Sequence, residues 1–464
     1  MLIEEVSNGK LRRLEIDENP EIPLLSIDHL IIKPLENKIC IINSYTNRCI
    51  LFNKTDWKGI GKYPKFVGEA LAYTSITDSC DVYSNEILTD KDKSTSFVIA
   101  LSYACNFKCT YCYQQHNDKL KKNKITAENL DYILDTIIEY KNNHKDESIS
   151  IELFGGEPLL PDNYDEIIKI FDFCVEHEMS IGITTNGAFL GHYLKDLVIY
   201  RGLNMSIFTT LDSIFDNEAT RRDRNKNIEA TYSNSILQNA KLLIDNGVRV
   251  SIAANIDKHN INQIGEMINF YAQEGFLCND KFSFVIGRVD DRFYETNYKD
   301  ILSEADILKK LGELDIIPNR VYASFIRAPY ELCNKVGLNY KQKELKGLGH
   351  YCWAVAPYEN VHYIDSDLDT FRCTYTVGRK ELSEFKFSYD NLKKYKKPNR
   401  TFKDIEKCSM CKIGGYCGGG CEQSARINFN KQCDNEKELF EEFLIKVFYP
   451  KINELRKYLL SENI

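Results

Sequence analysis

The stretch Phe97-Val98-Ile99-Ala100-Leu101-Ser102-Tyr103-Ala104-Cys105-Asn106-Phe107-Lys108-Cys109-Thr110-Tyr111-Cys112 decides the fold. Its first half is a short apolar run rich in β-branched and aromatic residues, the signature of a buried strand. Its second half sets three thiols on one loop, spaced Cys-x3-Cys-x2-Cys, directly after that strand. Further strand-like runs follow at Ile149–Phe154, Ser180–Thr185, Asn204–Leu211, Val248–Asn255 and Lys281–Ile286. Between and after them lie helix-like stretches at Ala127–His144, Tyr164–Glu178, Gly191–Tyr200, Asn234–Asn246, Ile261–Glu274 and Ala305–Leu314. Their apolar residues recur every three or four positions, as in Leu130, Ile133, Leu134, Ile137 and Ile138. Six strand–helix units imply α/β architecture, a parallel sheet with helices outside. Active sites of such folds sit at the C-terminal ends of the strands, where the three thiols fall.

The whole chain has 464 residues with 60 basic and 68 acidic side chains, a net charge of −8. That length fits two or three domains. The mild acidity argues against a nucleic-acid partner held by phosphate contacts. No run of about 18 apolar residues predicts a membrane span. Met1 to Glu21 already contains six acidic residues, unlike a secretion signal, so a cytoplasmic protein is expected. Thiols stay reduced there, and clustered cysteines then suggest metal or catalysis. Of 16 cysteines, seven form two tight groups. The second group is Cys408-x2-Cys411-x5-Cys417-x3-Cys421; Cys433 follows it, and Cys333, Cys352 and Cys373 precede it. Cys40, Cys49, Cys80, Cys174 and Cys278 are scattered and read as small buried hydrophobes.

Residues 1–95 contain a predicted hairpin, Lys38–Ile42 and Arg48–Asn53 about a turn at Asn43–Asn47. Residues 96–320 hold the strand–helix alternation. It stops after about residue 345, and a glycine-rich, irregular region with little conventional core runs to 435. Metal binding can supply the folding free energy such a region lacks. An amphipathic helix over Lys437–Leu460, with Leu439, Phe443, Leu444, Val447 and Phe448 on one face, closes the chain as 436–464. Pro450 is expected to bend it.

Three thiolates on one loop suit three irons of a [4Fe–4S] cube and leave the fourth iron open to a small molecule. The other reading is a zinc site completed by His116. Cys105-x3-Cys109-x-Tyr111-Cys112 resembles the signature of radical S-adenosylmethionine enzymes, including the aromatic residue before the last cysteine. Gly155-Gly156-Glu157-Pro158, after the second strand, resembles that family's GGEP segment: glycines permit close backbone approach, and a carboxylate suits the cofactor's ammonium. Thr184-Thr185-Asn186-Gly187 and Thr209-Thr210-Leu211-Asp212-Ser213 end the next two strands and are similar to family segments around the cofactor. The resemblance assigns Thr185, Asn186 and Thr210 to cofactor contacts. Of Arg221, Arg222 and Arg224, it makes Arg222 the candidate for the cofactor carboxylate. It implies a partial (β/α)6 TIM-like barrel. It also implies a reduced cluster that cleaves S-adenosylmethionine to a 5′-deoxyadenosyl radical, fed by an electron donor such as flavodoxin or ferredoxin.

The second cysteine group with Cys433 resembles the SPASM domain of peptide-modifying radical enzymes. The family's upstream pair, C-x(9–15)-G-x4-C, falls on Cys352 and Cys373, with twenty residues between them and Leu368 where a glycine is expected. The resemblance implies two auxiliary [4Fe–4S] clusters, three clusters in all. Cys408, Cys411, Cys417 and Cys433 would hold one. Cys352, Cys373 and Cys421 would hold the other, with Cys333 or an open iron at its fourth corner. Alone, the spacing also suits two zinc sites.

The segment before residue 96 has the size and position of the small α+β, winged-helix-like leader-binding module found in maturases of ribosomally made peptides; a plain cap on the barrel is the alternative. The expected activity is maturation of a precursor peptide (leader plus core) by hydrogen abstraction and cross-linking. Thioether is favoured over carbon–carbon linkage. A sulfatase maturase forming formylglycine is the rival within the class; a non-catalytic zinc or iron–sulfur scaffold is the rival outside it. Asn255, Asp257 and Arg288 lie at or after strand ends facing the expected cavity.

Overall fold

A computed structural model describes residues 2–7, 9–15, 30–44, 47–55, 94–114, 123–214, 232–290, 298–314, 317–323, 330–338, 341–342, 351–355, 359–409 and 411–461. The chain opens with β1 (Leu2–Ser7), β2 (Lys10–Glu15), β3 (Leu30–Pro34), β4 (Lys38–Asn43) and β5 (Arg48–Asn53). They form one antiparallel sheet in the order β2-β1-β5-β4-β3. The expected hairpin is β4–β5, turning through Asn47 in left-handed conformation at φ 52°. The helical part of a winged fold would fall in residues 56–93, outside the described residues. Cys40, Cys49 and Cys174 are buried, as read from the sequence; Cys278 is exposed, because it lies in the turn between a helix and the sixth main-sheet strand, and Cys80 is not among the described residues.

The main sheet contains the six expected strands: β6 (Ser94–Ala100), β7 (Ser148–Phe154), β8 (Ser180–Thr185), β9 (Ser206–Thr210), β10 (Arg249–Ile256) and β11 (Phe282–Arg288). All are parallel neighbours in chain order. The helices between and after them are α1 (Ala127–Asn143), α2 (Tyr164–Glu176), α3 (Leu190–Ile199), α4 (Tyr232–Asp245), α5 (Ile264–Gln273) and α6 (Glu304–Gly312). Thr126 caps α1 by accepting from the Asn129 N–H, and Ser303 caps α6 through the Asp306 N–H.

Strand alternation sorts the two faces. Phe97, Ile99, Ile151, Leu153, Ile181, Ile183, Ile207, Ile252, Phe284 and Ile286 are fully buried in one core with α1's Ile133 and Ile137 and α2's Ile170 and Phe171. Each such side chain contributes about 1.5–3 kcal/mol through removal from water. The intervening positions carry Glu152, Thr184, Thr210, Ser251, Asn255 and Ser283. Thr184 donates to Glu152 at 2.6 Å, and the Ser251 and Ser283 hydroxyls meet at 2.7 Å across neighbouring strands. The face opposite the helices is therefore polar over β7–β11.

The sheet does not stop at six strands. β12 (Val321–Ala323) and β13 (Lys341–Gln342) extend it beyond β11. β14 (Glu359–Ile364) joins parallel to β6, followed by antiparallel β15 (Asp369–Phe371) and β16 (Phe385–Lys386). The segment after 320 thus supplies strands to both edges of the main sheet. Its residues were read as a separate irregular unit because these strands are short, and β14 pairs with residues more than 260 positions away.

The C-terminal helix also differs from expectation. α7 (Glu422–Phe443) begins directly after Cys421, whose Sγ caps it by accepting from the Ser424 N–H. It continues through a π turn, Leu444–Phe448, into α8 (Tyr449–Ser461). The first half of α7 is polar and shows no apolar repeat, which hid it in the sequence. Pro450 sits in the first turn of α8, where a missing N–H is tolerated, and the π turn precedes it.

The β14–β15 turn places Leu368 at φ +66°, the left-handed region. This is the position where the upstream pattern calls for glycine. Asp365, 1% exposed, accepts from the backbone N–H groups of Asp367 and Asp369 at 3.0 and 2.9 Å and holds the turn in that shape. A left-handed L-residue costs about 1–2 kcal/mol. Leu368→Gly and Leu368→Ala both lose the side chain, but only glycine relieves the backbone. The glycine variant is expected to be more stable than the alanine variant by about 1 kcal/mol in chemical denaturation; equal stabilities would contradict the strain.

Candidate functional site

The cysteine loop after β6 is fastened by backbone contacts that the sequence did not reveal. Gly156 N–H donates to Ser102 O at 3.0 Å, and Glu157 N–H donates to Ala104 O at 2.8 Å. A Cβ on Gly156 would stand 2.2 Å from Ala104 O, and one on Gly155 2.4 Å from Ser102 O. The close approach that the two glycines permit is therefore made by the cysteine loop itself.

Glu157 is fully buried. Its Oε1 accepts from the Thr185 hydroxyl at 2.6 Å and the Leu159 N–H at 2.9 Å; its Oε2 accepts from the Asn186 N–H at 2.6 Å. Hydrogen bonds to an ionised carboxylate are the strong kind. They lock the end of β7 to the end of β8. Asn186 carries the lock back to the cysteines, donating from Nδ2 to Asn106 Oδ1 at 2.7 Å and to Cys105 Sγ at 3.8 Å. Pro158 O accepts from Asn163 Nδ2 at 2.9 Å and fixes the turn beyond the glycines.

Tyr111 closes the loop on its other side. Its hydroxyl donates to Asp212, which also accepts from the Asn255 N–H at 3.0 Å. Asp212 is 2% exposed and joins the ends of β9 and β10 to the loop. The sequence alone gives Asp212 no role; the available signal is a carboxylate two residues past the threonine pair that ends a strand. Thr210 is half-buried at the end of β9 on the polar face. Asp257 serves its own turn, accepting from the N–H of His259 at 2.8 Å and of Asn260 at 3.3 Å, and from the Tyr298 hydroxyl. Arg288 lies on the helix-facing side, 3.4 Å from Asp290 and 3.9 Å from Glu304. Its strand parity, opposite Ile256, turns it away from the polar face that the sequence reading assigned it to. His116, Arg221, Arg222 and Arg224 lie outside the described residues.

Burial, and secondarily the Glu157 carboxylate, push the Cys105 thiol up to about 11. A thiolate there needs a compensating cation, which irons of a cluster would supply. The donor set of Cys105, Cys109 and Cys112, three sulfurs on one pinned loop, fits three corners of such a cluster.

The later cysteines fall into two places. Cys408, Cys411, Cys417 and Cys433 line one pocket with Gly420 and Lys437. Burial, then the neighbouring Cys433 and Cys411, raise the Cys408 thiol, and Cys433 raises the Lys437 ammonium. Cys352 and Cys421 pack together with Tyr351 and Val355. Tyr113, just after the first loop, has its phenol raised by burial, then by Tyr375, Cys112 and Cys373, and its ring lies tilted with its centre 4.5 Å from that of Tyr375. Cys333 is elsewhere, fully buried in the main core on the helix Tyr330–Lys335 with Leu332 and Val336.

An ion network ties the two places together. Arg372, beside Cys373, bonds Glu384 at 3.1 Å and Glu422, beside Cys421, at 2.8 Å. Arg400 reaches Glu422 at 3.8 Å and donates to Gly419 O at 2.8 Å, between Cys417 and Cys421. Its own N–H donates to Val355 O at 3.0 Å, close to Cys352.

A parallel sheet whose strand ends carry a pinned three-thiol loop defines an α/β enzyme built around an iron–sulfur cofactor. Residues 99–271 match the Radical SAM superfamily, whose members are enzymes, so this part of the chain is a radical S-adenosylmethionine domain. That match implies a [4Fe–4S] cluster and S-adenosylmethionine. Over 366 residues the chain is 21% identical to a cysteine-type anaerobic sulfatase-maturating enzyme of Clostridium perfringens, a match covering 73% of this chain and 93% of that one. It is 23% identical over 362 residues to the radical SAM cyclopropyl synthase TigE of Paramaledivibacter caminithermalis, covering 70% of this chain and 66% of that one. The solved structure of native anSMEcpe with bound AdoMet and Cp18Cys peptide superposes with a TM-score of 0.55 at 18% identity, covering 79% of this chain and 99% of that one. No helix among the described residues is long and apolar enough to cross a membrane.

Two substitutions test the site. Glu157→Gln places an amide donor against donors and is expected to cost about 2 kcal/mol in chemical denaturation, with weaker S-adenosylmethionine binding in equilibrium dialysis; unchanged stability would contradict the lock. Replacing Cys105, Cys109 and Cys112 together by alanine should remove about four irons per chain and abolish S-adenosylmethionine cleavage; persistence of cleavage would contradict their assignment.

Proposed function

We propose that the chain is a peptide maturase that takes a hydrogen atom from a ribosomally made precursor and closes a cross-link, with thioether as the leading product. Bound S-adenosylmethionine and the cluster on the first loop would supply a 5′-deoxyadenosyl radical that abstracts one hydrogen. The chain's own residues do the rest. Glu157, Asn186 and Asp212 fix the loop, and the polar strand face carrying Glu152, Thr184, Thr210 and Asn255 offers hydrogen bonds to a peptide.

Joining a C–H carbon to a cysteine sulfur releases, beyond the abstracted hydrogen, one proton and one electron. An acceptor for that electron has to sit within reach of the site. Cys352, Cys373 and Cys421 are the residues that would hold one, as an auxiliary cluster. Cys408, Cys411, Cys417 and Cys433 would hold a second. Burial of Cys333 in the main core favours an open iron, able to bind a substrate thiolate, at the fourth corner of the first.

The observation that carries the reading is the attachment of the segment bearing Cys373 to the radical-generating loop: β14 pairs with β6, and Tyr103 donates to Asp365 at 3.0 Å. The N-terminal sheet adds to it. Ser44 donates to Lys412 O at 2.8 Å, and the Tyr416 hydroxyl bonds Asn47 at 3.1 Å, so the sheet rests on the second cysteine group. A leader peptide pairing with an edge of that sheet would be anchored beside the auxiliary cysteines.

The second reading, oxidation of a sulfatase cysteine or serine to formylglycine, is favoured by the nearly full-length match to the Clostridium perfringens enzyme. That enzyme covers 73% of this chain, so this chain carries additional sequence. Mass spectrometry of precursor and sulfatase-derived peptides, incubated anaerobically with S-adenosylmethionine and dithionite, separates the two. Loss of H2 with sulfur retained and no alkylatable thiol is the expected result. A hydrazide-reactive aldehyde with sulfur lost from a cysteine peptide would overturn it in favour of the sulfatase reading.

A further inference from the structure

Gln432 stands out among the buried polar side chains. It lies on α7, one residue before Cys433, and is 3% exposed. Among the described residues, neither its Oε1 nor its Nε2 has a hydrogen-bond partner. Yet it lines the pocket ringed by Cys408, Cys411, Cys417 and Cys433. A buried carboxamide left unpaired costs about 1–3 kcal/mol per group, so the position calls for a partner in the pocket it faces. Four cysteine sulfurs surround that pocket.

The carboxamide is also held in place. A Cβ on Gly420 would stand 2.0 Å from Gln432 Nε2 and 2.4 Å from Oε1, and Gly420 has φ +73°. Only glycine lets the turn between Cys417 and Cys421 lie flat against this amide. The same three residues, Gly420, Gln432 and Cys433, therefore form one wall, with the amide pressed between the turn and the thiols.

We propose that Gln432 is a positioning residue whose Nε2–H donates to a sulfur of the group held by Cys408, Cys411, Cys417 and Cys433, and so raises that group's reduction potential. The proposal rests on the reading of those four cysteines as ligands of an iron–sulfur cluster. Hydrogen bonds to the sulfurs stabilise the more negative, reduced state, and such bonds are among the means by which a protein sets cluster potentials. No covalent step is involved.

The test is an EPR-monitored redox titration of the anaerobically reconstituted full chain and of Gln432→Glu and Gln432→Leu, with iron counted in each. Cys408→Ala identifies which signal belongs to the pocket. Glutamate keeps the shape and removes the donor; leucine removes all polarity. In both variants the pocket's signal is expected at a more negative midpoint, with the other signals and the iron content unchanged. Unmoved midpoints at full iron content would overturn the proposal. So would loss of about four irons from both variants, which would make Gln432 an assembly residue. If the unaltered chain itself holds fewer than about eight irons, the ligand reading fails, and the proposal fails with it for that separate reason.

Discussion

The buried carboxylate of Glu157 is the constraint on which the site depends. Its two oxygens take hydrogen bonds from Thr185, Leu159 and Asn186, and the Asn186 side chain passes the restraint to Asn106 and Cys105. Three loops from three strand ends become one rigid unit. A cluster loop must hold sulfurs at fixed separations while one corner stays open, and the twelve irregular residues Leu101–Cys112 do not do this by themselves. The neighbouring strands supply the rigidity, since their outward isoleucines and phenylalanines are fully buried.

The same logic recurs at the second cysteine group with different means. The apolar clusters there are small: Tyr351 and Val355 pack with Cys352 and Cys421, and Phe371 and Val377, two and four residues from Cys373, are fully buried. Arg372, Glu422 and Arg400 add a partly buried ion network that binds the neighbours of those cysteines to one another. Burying such charges is costly unless each is paired, and here each guanidinium has a carboxylate or carbonyl partner. Tyr103 completes the connection between the two groups by donating to Asp365 at 3.0 Å, from the first cysteine loop to the β14–β15 turn.

Much of this was legible in the sequence. The six main strands and their helices follow from runs of β-branched residues and helical periodicity, and their ends fall within three residues of the expected ones. The two cysteine groups and the segments after β7, β8 and β9 were readable from spacing. What remained hidden has a common physical cause. β14 beside β6, the Glu157 lock and the Arg372–Glu422 pair all join residues far apart in the chain, and no local pattern encodes them. α7 was concealed for another reason: its inward face carries Gln432 and Cys433, where an ordinary helix would carry leucines. Leu368 reads as a departure from a glycine pattern, yet its left-handed backbone keeps the turn that the pattern describes.

The proposed function requires the cysteines to form three separate cluster sites, one at the strand ends and two beyond them. Anomalous diffraction from anaerobically grown crystals at the iron absorption edge tests it most directly. The account predicts three separate iron peaks: one against Cys105, Cys109 and Cys112, one among Cys352, Cys373 and Cys421, and one in the pocket of Cys408, Cys411, Cys417 and Cys433. A single iron peak at the first loop, with zinc or no metal at the later cysteines, would contradict it.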